Sequence, residues 1–476
     1  MNPRPPAGVN PVARRARERG SVLVIVLWIA LGLVTITLYF ANSMSSELKA
    51  SDNRVCGLAA EEEIEGAARY VSAVLVTLAT NGAIPDLTQY RSAAVPVGDG
   101  YFWLIGRDTN VVQRGPFQPT FGLVDEASKL NLNTAASNVL EWLPRMTEDL
   151  LQSMTDWRST NGGVSETYYA MQRPAYQCKC APFETLDELR LVYGADTFTL
   201  YGDDSNLNGS LDAGEIDDDQ NGQLDPGLLE YLTIYSREPN TRSDGSARIN
   251  VANLSSSSQE LRTLLETNFN TARANEIMTR LGLAGGGGGG GGPGGGPGGG
   301  GGAATPVQPK SVLQFYRLSG MTSDEFAQVA DAFTVASGSF IQGRVNVNTA
   351  SVAVLTCLLG GDTAAAQQMV AYRQGNSGNL TSVAWVAEAL SGSNSEALTA
   401  LEDGDYITTQ SYQFTADIAA VGPYGRGYRR VRFVFDLGEG TPRIVYRRDL
   451  SALGWALGSQ VRQDLDQLQL AENRIR

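Results

Sequence analysis

Arg14-Arg15-Ala16-Arg17-Glu18-Arg19-Gly20 runs directly into Ser21-Val22-Leu23-Val24-Ile25-Val26-Leu27, and no charged residue then occurs before Glu47. The uncharged stretch, about 27 residues, measures about 40 Å as a helix, more than the roughly 30 Å hydrocarbon core of a bilayer. It reads as a segment that spans or anchors in a membrane. Arg4, Arg14, Arg15, Arg17 and Arg19 all precede it. By the positive-inside rule they hold the N-terminus in the cytoplasm, and everything after Ser46 is exported. A cleaved secretory signal has a shorter apolar region of roughly 7 to 15 residues. Ala41-Asn42-Ser43 is nevertheless a small-x-small site, and a plain signal anchor is the simplest alternative.

The helical pattern does not stop at the membrane. Leu58-Ala59-Ala60, Ile64, Ala67-Ala68, Val71, Val74-Leu75 and Leu78 keep helical spacing, and no proline follows Gly20 until Pro85. Gly57 and Gly66 weaken the run locally. A helix from Ser21 to about Thr80 is a rod of ~90 Å, apolar at one end and amphipathic at the other.

An Arg19-Gly20 pair after a short basic leader, an apolar run and a long helix together resemble the prepilin leader of type IV pilins and type II secretion pseudopilins. The resemblance implies cutting between Gly20 and Ser21 by a prepilin peptidase, methylation of the new N-terminus, and packing of the helix into a filament. Most such subunits carry Glu at the fifth residue after the cut, where it neutralises a neighbour's N-terminal amine in an apolar core that penalises unpaired charge. Here that residue is Ile25. A subunit without the Glu resembles the K-type minor pseudopilin (general secretion pathway protein K family), the tip subunit with nothing ahead of it. That family is also the large one, and 476 residues suffice for two or three domains.

Composition excludes several functions. The chain has no histidine, which removes Ser-His-Asp and Cys-His catalysis and imidazole metal ligation. Its net charge of -14 argues against nucleic acid as a partner, because counterion release needs a positive face. Four cysteines, Cys56, Cys178, Cys180 and Cys357, allow three pairings into two disulfides in an exported chain, or remain buried thiols.

Beyond the helix, Tyr101–Gly106 and Gly122–Asp125 read as strands. Three related segments follow: Lys129-Leu130-Asn131-Leu132-Asn133-Thr134-Ala135, Arg248-Ile249-Asn250-Val251-Ala252-Asn253, and Arg344-Val345-Asn346-Val347-Asn348-Thr349-Ala350. Each leads into two helix-like runs separated by a short break, near Pro144, Asn268 and Gly360-Gly361 respectively. An extended Asn-apolar-Asn places its apolar side chain inward, and Asn or Thr caps the helix that follows. Such entries to helix-hairpin-helix units resemble those of the K-type pseudopilins and of DNA-binding hairpins alike. DNA hairpins present amides and basic residues to phosphate, whereas Gly360-Gly361 is followed by Asp362 with no base nearby. Packing units are the expectation. Pro182–Leu189 and Leu380–Val386 read as further helices closing the modules.

The most specific chemical signal is Asp204-Ser205-Asn206-Leu207-Asn208-Gly209-Ser210-Leu211-Asp212-Ala213-Gly214-Glu215, which fits the twelve-residue calcium loop at every step. Oxygen ligands fall at Asp204, Asn206, Asn208, Asp212 and Glu215, with a carbonyl from Ser210 and a turn at Gly209. A second loop starts after Ile216, with Asp217, Asp219, Asn221, Gln223 and Asp225 at ligand steps but Leu228 at step 12; Glu230 is the nearest substitute. Two loops one residue apart leave no room for the helices of an EF-hand pair. One or two structural calcium ions are expected, and calcium in the helical domain is also what the K-type resemblance implies.

The glycine tract at 285–302, broken only by Pro293 and Pro297, cannot bury a core and is expected to be disordered. Val312–Thr334 resumes a helical pattern. From Asp405 the period becomes two, through Tyr412–Ile418, Arg430–Asp436 and Ile444–Arg447, with Arg426, Arg429, Arg430 and Arg432 expected on the solvent side. The expected fold is α+β: a pilin-like long N-terminal helix packed on an antiparallel sheet, with a large, mostly α-helical domain of helix-hairpin-helix-like units inserted between early and late strands. The boundaries are leader 1–20, membrane part 21–46, helix and first strands 47–128, insertion 129–404 with calcium loops at 203–230, and closing strands 405–476. The expected function is that of a non-enzymatic tip subunit in the inner membrane, working with I-type and J-type minor pseudopilins and the major pseudopilin. The alternative is a membrane-anchored, calcium-stabilised adhesion or DNA-uptake protein.

Overall fold

A computed structural model describes residues 8, 19–109, 118–163, 165–283, 306–392 and 395–473. Most of the leader at 1–20 and the whole glycine tract at 285–302 lie outside the described residues. The chain begins with one 60-residue helix, α1 (Arg19–Leu78). Its large apolar residues from Val22 to Phe40 are all exposed, and this end is long and apolar enough to cross a membrane. From Cys56 onward the same helix buries Ala60, Ile64, Ala67, Ala68, Val71 and Leu75 in a stripe at helical spacing. Gly57 and Gly66 do not break it. A Cβ at those positions would meet Arg429 at 3.3 Å and Val97 at 3.0 Å, so the glycines sit where neighbouring side chains press on the rod.

The stripe packs on an antiparallel sheet of six strands: β1 (Val95–Val97), β2 (Gly100–Ile105), β3 (Val124–Asp125), β4 (Gln413–Gly422), β5 (Arg426–Asp436) and β6 (Arg443–Asp449). Their spatial order is β1-β2-β4-β5-β6, with β3 also pairing with β4. Register puts Phe414 opposite Phe435, Ala416 opposite Phe433 and Ile418 opposite both Val431 and Leu104. These side chains join Phe102 and the α1 stripe in one core. Burying each large member contributes about 1.5–3 kcal/mol. Close approach of the β4–β5 turn to the rod requires Gly427, whose φ is +74° and whose Cβ would lie 2.3 Å from the Cys56 carbonyl carbon.

Between β3 and β4 lies the helical insertion. Its three Asn segments each form one strand of a two-stranded parallel pair: Leu130–Asn131 with Leu232–Thr233, Ile249–Asn250 with Phe333–Thr334, and Val345–Asn346 with Ile407–Thr408. Helix pairs follow the three segments: α2 (Ser137–Leu140) and α3 (Glu148–Arg158), α4 (Leu254–Asn268) and α5 (Thr271–Arg280), α6 (Val352–Leu358) and α7 (Thr363–Gly375). All three units share a single core that runs from Leu130 to Ile407.

Several local expectations fail for identifiable reasons. The helix read through Val312–Thr334 is cut by Gly320, which ends Val312–Ser319 at φ +63°, and Phe333–Thr334 is a strand because it pairs with Ile249–Asn250. Pro182–Leu189 gives only the 3-10 turn Leu186–Leu191, entered by a Thr185–Glu188 capping box. The chain closes on a helix, α8 (Gly458–Asn473), which the reading of 405–476 as strands did not include. Arg430 does not face solvent but is fully buried, and Arg432 is half-buried. Of the two alternatives left open for the cysteines, the structure has free thiols at all four.

One buried acid in the rod lacks compensation. Glu63 packs against Gly100, where a Cβ would lie 2.0 Å from the carboxylate, and its Oε2 has no hydrogen-bond partner among the described residues. Burial, with Asp99 adding, pushes its pKa up to about 7, against roughly 4.3 in an unfolded chain. The folded state therefore holds more protons than the unfolded state between those values, and stability falls as pH rises through them. Thermal melts of the detergent-solubilised chain from pH 5 to 8 should show this decline in the wild type and a flatter profile for Glu63→Gln; parallel profiles would remove the assignment.

Candidate metal centre

The residues between Thr197–Tyr201 and Leu232–Thr233 form two successive acidic loops. Asp196 starts the first element by accepting the Thr199 amide at 2.7 Å, and Gly202, at φ +60°, ends it. In the first loop Asp204 accepts the amides of Asn208 and Gly209, both at 2.8 Å, and Asn208 Oδ1 accepts the Ser210 amide at 2.8 Å. Glu215 closes the ring by accepting the amides of Asn206 at 3.1 Å and Asp212 at 3.0 Å. Asp212 accepts the side-chain amides of Asn206 and Asn208, each at 2.8 Å. The structure thus brings all six predicted residues of this loop together.

The second loop repeats the backbone of the first. Step 4 has a positive φ in both, Leu207 at 57° and Gln220 at 59°, as does step 6, Gly209 at 77° and Gly222 at 73°. Step 1 accepts from step 6 in both, Asp217 from the Gly222 amide at 2.8 Å, and step 5 from step 7, Asn221 Oδ1 from the Gln223 amide at 2.6 Å. Such a shared pattern comes from the Asp-x-Asp/Asn-x-Asn-Gly spacing itself, because each short side chain folds back on an amide two to five residues on.

The surroundings differ. Asp204, Asn206, Asn208 and Ser210 are buried, whereas most of 217–223 is exposed. Burial, together with Glu230 nearby, pushes the Asp204 carboxyl upward against the pull of Arg107, and burial also raises Glu215. Asn206 Oδ1 and Ser210 Oγ in the first loop, and Asp217 Oδ1 in the second, have no hydrogen-bond partner among the described residues. Glu230 does not serve the second loop: it bonds Arg107 Nε at 2.8 Å, and Leu228 at step 12 is buried in the core. Two residues absent from the sequence reading, Asp203 and Asp218, place oxygens within 4.8 Å of Asp217. Arg145 bridges this pair, at 3.3 Å from Asp203 and 3.4 Å from Asp218.

The first loop is bolted to the outer face of the sheet. Arg430 of β5 makes a two-pronged pair with Asp417 of β4 through Nε and Nη2, both bonds 2.8 Å; Nη2 also donates to the Leu207 carbonyl, and Nη1 donates to the carbonyl of Asn206. Arg107, just after β2, donates to the Leu207 carbonyl at 2.8 Å, and Arg432 adds a second pair to Asp417. Although burial alone would raise it, the two arginines hold the Asp417 carboxyl far below the ordinary range.

No family model matches this chain. No curated protein matches it either. It is similar to a chain in the crystal structure of the GspK-GspI-GspJ complex from the enterotoxigenic Escherichia coli Type 2 Secretion System, with 10% identity and a TM-score of 0.38, over 86% of this chain and 99% of that one.

The Asn motif has a uniform structural job. Asn131, Asn250 and Asn346 each accept, through Oδ1, the amide two residues on, at 3.0, 2.9 and 3.0 Å. Their Nδ2 groups cross to the partner strand, reaching Ser236, Ala336 and Ser411. On that strand Thr233, Thr334 and Thr408 each accept an amide two residues on, at 3.1, 3.1 and 3.2 Å. The sequence reading missed this second half, although apolar-Thr-x-x-Ser recurs at Leu232–Ser236, Phe333–Ser337 and Ile407–Ser411. Asn133 and Asn348 tie their units to the carbonyls of Phe183 and Leu380, both at 2.9 Å. Asn253 makes no such cap, because Ala252 shifts the spacing. The third hairpin turn is covered: a Cβ on Gly361 would lie 2.6 Å from the Trp142 ring.

Removing Arg430 leaves Asp417 buried with one partner and frees the Asn206 carbonyl. Arg430→Ala is expected to cost about 3–5 kcal/mol in denaturant unfolding, the range for breaking a buried ion pair. A loss below about 1 kcal/mol would mean that the pair is dispensable.

Proposed function

We propose that this chain is a K-type minor pseudopilin of a type II secretion system: an assembly subunit, not an enzyme, that starts the pseudopilus. The observation that carries the proposal is α1, a single 60-residue helix that begins at Arg19-Gly20. Its first part offers an uninterrupted apolar surface, and its last part is the spine of an antiparallel sheet. Such a helix can sit in the inner membrane with its N-terminus in the cytoplasm. After cleavage at Gly20 it can slide out of the bilayer into a bundle of similar helices, where the same apolar surface is buried again. Ile25 is exposed on this part of the helix. It offers no charge for a preceding subunit's amine, which suits the first position of a filament beside I-type and J-type partners and above the major pseudopilin.

Calcium belongs to the same proposal. Hard oxygen ligands in the 1, 3, 5, 7, 9, 12 arrangement suit a calcium ion. The unpartnered Asn206 Oδ1, the buried Asp204 carboxyl and the half-buried Glu215 carboxyl fit that ion, which would supply the positive charge that organises the loop. Asp204, Asn206, Asn208, the Ser210 carbonyl, Asp212 and Glu215 would hold it. For the second loop the donors would be Asp217, Asp219, Asn221, Gln223 and Asp225, with Asp203 or Asp218 in place of Glu230. The affinity need be only millimolar in an exported module. Against a nucleic-acid role, the amides of the third hairpin turn are already donated inside the chain, Gly361 to the Thr356 carbonyl at 2.9 Å and Thr363 to the Gly361 carbonyl at 3.0 Å.

N-terminal sequencing of the mature protein, from cells with and without a prepilin peptidase, should give Ser21 first only when the peptidase is present. A mature start elsewhere, or independence from the peptidase, would sink the assignment. For the metal, calcium should raise the wild-type melting temperature by several degrees, as RT ln(1 + [L]/Kd) requires of a ligand bound only by the folded state. Asp204→Ala should abolish that rise; a wild-type chain indifferent to chelator would overturn the calcium reading.

A further inference from the structure

The first loop has Asn, not Asp, at steps 3 and 5, and the structure gives this choice a reason outside the ring. Asn206 and Asn208 each carry an oxygen on one corner of the amide and two donors on the other. The Asn206 oxygen is buried without a hydrogen-bond partner among the described residues, and the Asn208 oxygen accepts the Ser210 amide. Both Nδ2 groups point outward. They donate to Asp212 and also to the C-terminal segment, Asn206 to the Trp455 carbonyl at 3.4 Å and Asn208 to the Ala456 carbonyl at 3.2 Å. Asp212 and the two carbonyls are acceptors only, so turning either amide over would set oxygen against oxygen.

Trp455 and Ala456 lead directly into α8. Ala456, Leu457 and Leu465 close a small core with Trp103, Ile105, Ala419 and Val421 on the face of the sheet opposite α1. Trp455 stacks near Tyr428, with ring centroids 5.0 Å apart, and donates to the Gly458 carbonyl at 2.7 Å. Arg430 and Arg107 fix the loop from the sheet side through the backbone of residues 206–207. The loop is therefore attached to the sheet by its carbonyls and to the C-terminus by its side-chain amides.

We propose that the first loop is a calcium-set latch: an ion drawing the amide oxygens of Asn206 and Asn208 inward fixes their donors on Trp455 and Ala456, and so holds α8 over the outer face of the sheet. This rests on the calcium reading of the loop above. When calcium is removed, the carboxylates of Asp204, Asp212 and Glu215 are no longer gathered about one positive charge, the loop relaxes, the donors of Asn206 and Asn208 move off the carbonyls of Trp455 and Ala456, and α8 detaches to uncover Trp103, Ile105 and Val421.

The test is hydrogen exchange on the full chain in detergent, with calcium or chelator, alongside calorimetric titration with calcium alone. In the wild type, calcium should slow amide exchange across 457–467 by about tenfold or more, the signature of a suppressed local opening. Asp204→Ala, which removes a ligand of the ion, should leave 457–467 at the chelator rate with or without calcium, with exchange in the 60–75 part of α1 unchanged. Calcium binding without protection of 457–467 in the wild type, or full protection of 457–467 in Asp204→Ala, overturns the latch alone. Failure of the wild-type chain to bind calcium overturns the calcium reading, and the latch with it.

Discussion

Arg430 is the constraint on which the two halves of this protein depend. A fully buried guanidinium in a sheet is tolerated only when each of its donors is satisfied, and here one side of it grips Asp417 on the neighbouring strand while the other grips the carbonyls of Asn206 and Leu207. Those carbonyls belong to a segment more than two hundred positions earlier in the chain, inside the insertion. The sheet could not bury this residue alone, and the acidic loop could not keep its shape at Leu207, with φ at 57°, without something to hold its outward carbonyls. Each half supplies what the other lacks.

This mutual dependence explains which parts of the architecture were legible in the sequence. The rod was readable because its two signals, an uncharged run and a helical stripe, are local and need no partner to be recognised. The late strands were readable by their period of two. The placement of Arg430 and Arg432 was not: an Arg-x-Arg alternation in a strand says that both share a face, and nothing nearby says that the face is covered by residues 206–207 and 455–456. Likewise, α8 was hidden because Val461 and Leu465 give a narrow stripe whose meaning depends on the distant Trp103 and Val421.

The candidate site divides in the same way. Its ring geometry follows from spacing alone, since Asp, Asn and Gly at fixed steps fold onto their own amides, and both loops adopt that form whatever surrounds them. What completes the site does not follow from spacing. Glu230 looked available for the second loop by proximity in sequence but is taken by Arg107, and Asp203 enters from before the first loop. The threefold Asn segment was found for the same reason that its Thr partner was missed: the Asn side chain turns back within two residues, whereas its crossing bond reaches a residue 65 to 105 positions away.

The unbroken rod has a mechanical consequence. A helix without proline or an internal hinge, in which Gly57 and Gly66 are pressed by Arg429 and Val97, behaves as a stiff shaft. Its exposed apolar end and its sheet end cannot turn independently. Any twist or axial pull applied at Ser21–Phe40 is delivered, nearly undamped, to the sheet packed on Ile64–Leu75, and through the clamp at Arg430 to the insertion. The globular part is therefore a load carried by the shaft, and its orientation about the long axis is set at the far, apolar end, some tens of ångströms away.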